Sequence, residues 1–88
     1  MMYFIVSVRD RAANAFGRPI FCLSLGQAIR SFSDEVNRGG EGNDMFRHPD
    51  DFDLYHLGMF EDMNGLMESL SEPKMLAIGK QVKIPGGV

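Results

Sequence analysis

An α+β fold, with a single helix packed on an antiparallel β-sheet in the order β-β-α-β-β-β, is predicted by three observations. Leu25, Ala28, Ile29, Phe32 and Val36 recur at helical spacing behind a serine, which makes one apolar stripe. Runs of large apolar residues at Met2–Val8, Ile20–Leu23 and Asp53–Asp62 have the length and composition of strands. Asn64-Gly65 separates the last of these from another apolar run, as a β-hairpin requires. One helix covers only one face of such a sheet. The other face is expected to meet water, a second copy of the chain, or a ligand.

The elements follow in order. In Met2–Val8, alternation places Phe4, Val6 and Val8 on one face and Tyr3, Ile5 and Ser7 on the other. Arg9 to Gly17 reads as a polar connection, with Phe16 a plug onto the core. Pro19 opens the second strand, where proline is tolerated. Ser24-Leu25-Gly26-Gln27 fits a capping box, with the serine oxygen on the Gln27 N–H and the glutamine side chain reaching back. Asn37 to Gly40 ends the helix. Arg38 to Arg47 is expected to be a mobile polar loop anchored by Met45 and Phe46. Pro49 starts a turn whose free N–H groups favour Asp50 and Asp51. After the hairpin, Leu66–Leu70 returns as a strand, Pro73 punctuates, and Met75–Ile84 forms the last strand.

The 88 residues make one domain, 1–88, with 85–88 a flexible tail. A chain of this size has a stability of roughly 4–13 kcal/mol. No apolar run approaches the ~20 residues that cross a bilayer, so no membrane partner is expected. Met1–Val8 reads as a strand rather than a secretion signal. Cys22 is the only cysteine and reads as a buried apolar thiol, in agreement with a reducing compartment.

The net charge of −3 hides a pattern. Arg9, Arg11, Arg18, Arg30 and Arg38 lie before residue 41, and Lys74, Lys80 and Lys83 lie after residue 72. Between them, nine acids face Arg47 alone. Basic ends therefore flank an acidic middle. The total charge does not favour polyanion binding, so any nucleic-acid role needs the basic ends brought together.

Two kinds of chemistry are set aside. His48, Asp50, Asp51, Asp53 and His56 are close in sequence, but no zinc spacing is present and strand alternation spreads them over two faces. No metal or other cofactor is expected; His48 caps the turn and His56 packs on the sheet with one nitrogen bonded. Asp50-Asp51 and Glu61-Asp62 read as solvated turn residues rather than acid–base pairs. No nucleophile elbow, phosphate loop or dinucleotide fingerprint appears, so an enzyme is not expected. Nucleic-acid binding has more support, because single-strand binders set aromatic platforms beside basic groups on sheets. Tyr3 and Tyr55 on strands, with Arg9, Arg11 and Arg18 bordering the first two, provide those residue types, although on residues alone ordinary core or interface tyrosines and a solvated arginine surface are the favoured reading. Seven methionines suit a self-association surface.

Three segments taken together carry a family likeness. They are Phe4–Ala12 with Phe16 and Pro19, Gly26–Asn37, and His48–Phe60 followed by Asn64-Gly65. In order and spacing the chain resembles the small nonstructural protein of gokushovirus-type microviruses, which are single-stranded-DNA phages. The likeness covers most of residues 4–66. It departs at Phe52, where tyrosine is common, and in the glycine-rich loop before Met45. The resemblance implies a non-catalytic, DNA-binding role in viral genome replication or packaging, in the host cytoplasm.

The resulting expectation is a homodimeric phage nonstructural protein on single-stranded DNA. Arg9, Arg11, Arg18, Lys80 and Lys83 would hold phosphates, and Tyr3 or Tyr55 would stack bases. The rival is an interaction module whose acidic, methionine-rich half docks a capsid, replication or host protein without touching nucleic acid.

Overall fold

The structure is a computed structural model and describes residues 1–85. Strand β1 (Met2–Asp10) is central. Along one edge it pairs antiparallel with β4 (Phe52–Glu61). Along the other it pairs with two short strands, β2 (Ala15–Phe16) and β3 (Ile20–Cys22). Strand β5 (Leu66–Ile78) pairs with β4 and forms the outer strand. The result is an antiparallel sheet with α1 (Leu25–Val36) packed on one face.

The apolar stripe of α1 explains that packing. Ala28, Phe32 and Val36 are buried against Val6 and Leu54, with Val8, Cys22, Leu76 and Ala77 around them. Removing a side chain such as Phe32 or Val36 from water is worth roughly 1.5–3 kcal/mol. Ser24 caps the helix as expected, its oxygen accepting from the Gln27 N–H at 3.1 Å. The reciprocal bond from the glutamine side chain is not made among the described residues.

Two register shifts reshape the sheet. Ile5 stands opposite Gly58 and Val6 opposite His56, so Leu57 is an extra residue in the β1–β4 ladder. On its other side, Gly58 stands opposite Ser69 and His56 opposite Lys74, so Leu57 alone faces residues 70–73. Such bulges bend a strand and re-aim its side chains. Gly58 sits at this pivot because a Cβ there would collide with the Glu68 carbonyl oxygen. The extra residue lies in β4, so β1 itself runs unbroken, and Tyr3, Val6 and Val8 all border the groove between β3 and α1.

The predicted connection Arg9–Gly17 is instead ordered structure. β1 continues to Asp10, whose carboxylate accepts from the Ala12 and Ala13 N–H groups at 3.0 and 3.2 Å. Asn14 adopts φ 54°, a conformation this residue type tolerates, and the chain returns as β2. Phe16 does not plug the core; it is 42% exposed on the opposite sheet face.

The expected mobile loop contains a helical turn, α2 (Asp44–Arg47). Buried Asn43 ties it down: its amide donates to the Glu35 and Arg38 carbonyls at 2.9 and 2.7 Å, and its oxygen caps α2. A 3-10 turn at Pro49–Asp51 follows, without a side-chain cap from His48. The hairpin loop is Asp62–Gly65, and Gly65 alone of its residues has positive φ, so the expected type I′ turn is not formed.

The single-helix order is the largest correction. Leu66–Leu70 and Met75–Ile84 are not two strands, because β5 runs through Pro73 to Ile78. Residues Gly79–Val82 then form a third helical turn, α3. Gly79 is wedged against the Pro49 and Phe52 carbonyls, where a Cβ has no room. The observed order is β-β-β-α-α-β-β-α. Of the expected tail, Pro85 lies in a turn and 86–88 fall outside the described residues. Among the described residues, no helix is long and apolar enough to cross a membrane.

Candidate nucleic-acid interface

Residues on β1 and β4 alternate between the helix side and the opposite face of the sheet. Leu54 and Val8 face α1, so their neighbours Tyr55 and Ser7, themselves opposite each other, face away. The return of the chain through Asn14 lays Phe16 over this second face. Its ring meets that of Tyr55 edge-on, with centroids 5.3 Å apart. The guanidinium of Arg9 lies 6.0 Å from the Phe16 centroid and donates to the Asn14 side chain at 2.7 Å. Beneath them Ser7 is fully buried and donates to the Gly17 carbonyl at 2.7 Å. Two rings and one stacked guanidinium thus form a platform, bordered by Met75 opposite Tyr55.

Arg11 belongs to the same end of the sheet but is already engaged. Its Nε lies 3.3 Å from Oδ2 of Asp53, which is almost wholly buried. It also donates to the Asp50 carbonyl, and its own N–H donates to the Asp51 carbonyl at 2.7 Å. Asp53 Oδ1 has no hydrogen-bond partner among the described residues. The charge of Arg11 is thereby largely spent on Asp53. Arg9 and Arg18 make no ion pair among the described residues.

The remaining expected contacts lie elsewhere. Tyr3 is opposite Phe60, their centroids 6.2 Å apart, and Phe60 in turn meets Phe21 at 5.5 Å. Tyr3 therefore stands four residues along β1 from Ser7, the partner of Tyr55, about 13 Å away. It lines an apolar groove of about 460 Å³ between β3 and α1, with Phe21, Leu23, Phe32 and Met45. Glu35 at its rim is held by Arg38 at 2.6 Å. Lys83 sits among the helical turns, its Nζ 3.3 Å from the Phe46 ring centroid and bonded to the Phe46 carbonyl at 3.2 Å. Lys80 lies on α3, beside the Pro49–Asp51 turn. The structure brings Arg9, Arg11 and Tyr55 together and leaves Tyr3, Lys80 and Lys83 apart from them.

Phe16 is the platform residue that sequence reasoning missed. The available signal was Asn14 three residues before Gly17, a pairing suited to a tight return. The histidines occupy the sheet and the turn. His56 is buried, with Nε2 3.0 Å from the Gly58 carbonyl and its ring against Phe4. Among the described residues, no three His, Cys, Asp or Glu side chains are grouped to hold a metal ion. Burial pushes the Cys22 thiol above its ordinary pKa, and its sulfur contacts the Phe4 carbonyl at 3.5 Å.

Comparison with known proteins places this architecture in a family. The family model described as Phage ORF5 protein matches residues 3–82, from β1 through α3. No curated protein and no solved structure matches the chain.

Proposed function

Since the chain belongs to the Phage ORF5 protein family, and is thus a small phage protein, we propose that it binds single-stranded DNA without catalysing a reaction. In this reading it is the nonstructural protein of a gokushovirus-type microvirus, acting in genome replication or packaging in the host cytoplasm. The observation that carries the reading is the Arg9–Phe16–Tyr55 platform. The exposed Phe16 ring, backed by half-buried Tyr55, accepts an unpaired base by stacking, which tolerates any sequence, and the adjacent Arg9 guanidinium holds a phosphate. Arg9 supplies that charge, with exposed Arg18 two residues beyond Phe16; Arg11 mainly positions the turn that carries Phe16. Tyr3, Lys80 and Lys83 have no part in the platform.

A fluorescence-anisotropy titration of a labelled oligothymidine over a salt series tests this. Affinity falls with salt, with a log–log slope near −0.7 for each phosphate contacted. Phe16→Ala weakens binding by about 1–3 kcal/mol, the worth of one stacked base. Arg9→Ala flattens the slope by about one contact, whereas Lys83→Ala leaves it unchanged. A flat salt response, or no binding at low salt, rejects the proposal.

The exposed Met63, Leu66 and Met67 favour a second reading, because they lie on a hairpin with Glu61, Asp62 and Glu68. A protein partner recovered from infected cells and retained after nuclease treatment would establish that interaction-module role.

A further inference from the structure

Strand β5 is the outer strand of the sheet, and its length and exposure are unusual for an edge. Residues 66–69 and 71–75 are exposed, and residues 70–73 face only Leu57 across the ladder. An edge of this kind leaves a row of backbone N–H and C=O groups open to another strand. Charges, proline and bulges are the usual devices that prevent such pairing; Glu68, Glu72, Lys74 and Pro73 supply the first two, and the register shift opposite Leu57 the third. Their order, however, favours one self-pairing register over those beside it.

We propose that β5 pairs antiparallel with β5 of a second copy about a two-fold axis at Ser71. In this register Glu68 faces Lys74 of the second copy, Met67 faces Met75, and Leu66 faces Leu76. Opposite charges and apolar pairs directly across a ladder are each favourable. Moving the axis to Leu70 sets Glu68 against Glu72. Moving it to Glu72 sets that carboxylate against its own copy. Both shifts place like charges together. Pro73 faces Ser69 in the chosen register, and this pair falls in the same class as the pair on the axis. If Ser71 makes a non-hydrogen-bonded pair, Pro73 does too, and its missing N–H is not required. The contact is isologous, so it closes at two copies. It does not depend on DNA binding.

Sedimentation equilibrium at low salt, without DNA, tests the assembly. The wild type is a concentration-dependent dimer. Glu68→Lys alone and Lys74→Glu alone each set like charges across the axis twice, and each weakens the dimer roughly 2- to 30-fold. The double swap E68K/K74E restores opposite pairs and returns the dimer to near wild-type strength. A second measurement needs no charge change. Ser71→Cys cross-links two copies under mild oxidation, since residues on the axis are about 4.5 Å apart at Cα. Ser69→Cys, facing Pro73, does not, and native Cys22 is common to both variants. Far-UV circular dichroism establishes that each variant keeps its fold, and the cross-linking pair decides alone if a charge variant does not. A monomer at all concentrations, single swaps without effect, a double swap weaker than either single, or equal cross-linking at positions 69 and 71 would overturn the proposal.

Discussion

Asp53 and Arg11 form the most buried ion pair among the described residues. The carboxylate is 1% exposed and has Arg11 as its ion-pair partner among the described residues. Arg11→Ala leaves a buried charge without compensation, so it destabilises the fold by about 1–3 kcal/mol in urea unfolding. Asp53→Asn costs less, because it leaves no charge behind. Loss of Arg11 also loosens the turn that leads to Phe16, so under the proposed function the variant weakens DNA binding as well. A second charge pair acts through pH. Arg38 bonds Glu35 at 2.9 and 2.6 Å and holds its carboxyl below the ordinary value of 4.5. The folded pKa is depressed, so this stabilisation is complete above pH 4.5 and is lost as pH falls through the folded value. Both side chains are well exposed, so the contribution is small. The stability difference between wild type and Arg38→Met therefore closes on acidification, as thermal melts across that range would record.

At the scale of elements, the helical turns depend on a few polar ties. Asn37, the C-cap of α1, donates to the Ser33 carbonyl at 2.9 Å and to the Val82 carbonyl at 3.0 Å, and accepts from the Ile84 N–H at 2.8 Å. One side chain thus joins α1 to α3. Asn37→Ala frees three backbone groups and costs about 1–2 kcal/mol, and α3 amides exchange with solvent faster than those of α1. The sequence made α1 legible because its cap, stripe and terminating residues all agree. It made α3 illegible: Lys80, Val82 and Ile84 prolong a strand-like alternation from β5, while Gly79 packs on the Pro49 and Phe52 carbonyls where the chain turns. Pro73 misled in the opposite direction. Proline ends a central strand but survives on an edge, and edge position is a property of topology rather than of local sequence. Alternation along β1 sets Tyr3 on the face of Ser7, but it is the distance along the strand and the neighbouring Phe60 and Phe21 that separate it from the platform. Phe16 reads as a core plug rather than a platform residue because a two-residue strand has no periodicity to detect.

The molecule is elongated, with principal extents of 45 × 24 × 21 Å, and its two ends differ. The β4–β5 hairpin carries acids and exposed methionines, while the platform lies near the far end of β1. A two-fold axis at Ser71, perpendicular to the joined sheets, keeps both platforms on one face. Tyr55 is one strand in from β5 and opposite Met75, four residues from the proposed axis. With strands ~4.8 Å apart and ~3.4 Å per residue, two copies of Tyr55 stand roughly 30 Å apart. A single strand stacked at ~3.4 Å per nucleotide spans that gap with about nine nucleotides. Linking the two contacts converts the second into an intramolecular step and raises avidity without new chemistry. Oligothymidines shorter than about nine nucleotides therefore bind one platform, and affinity rises sharply once the chain reaches both. Glu68→Lys removes that step but leaves the affinity for short oligomers intact, and E68K/K74E restores it. A length dependence without a step, or a step that survives Glu68→Lys, would separate the DNA platform from the paired β5 edge.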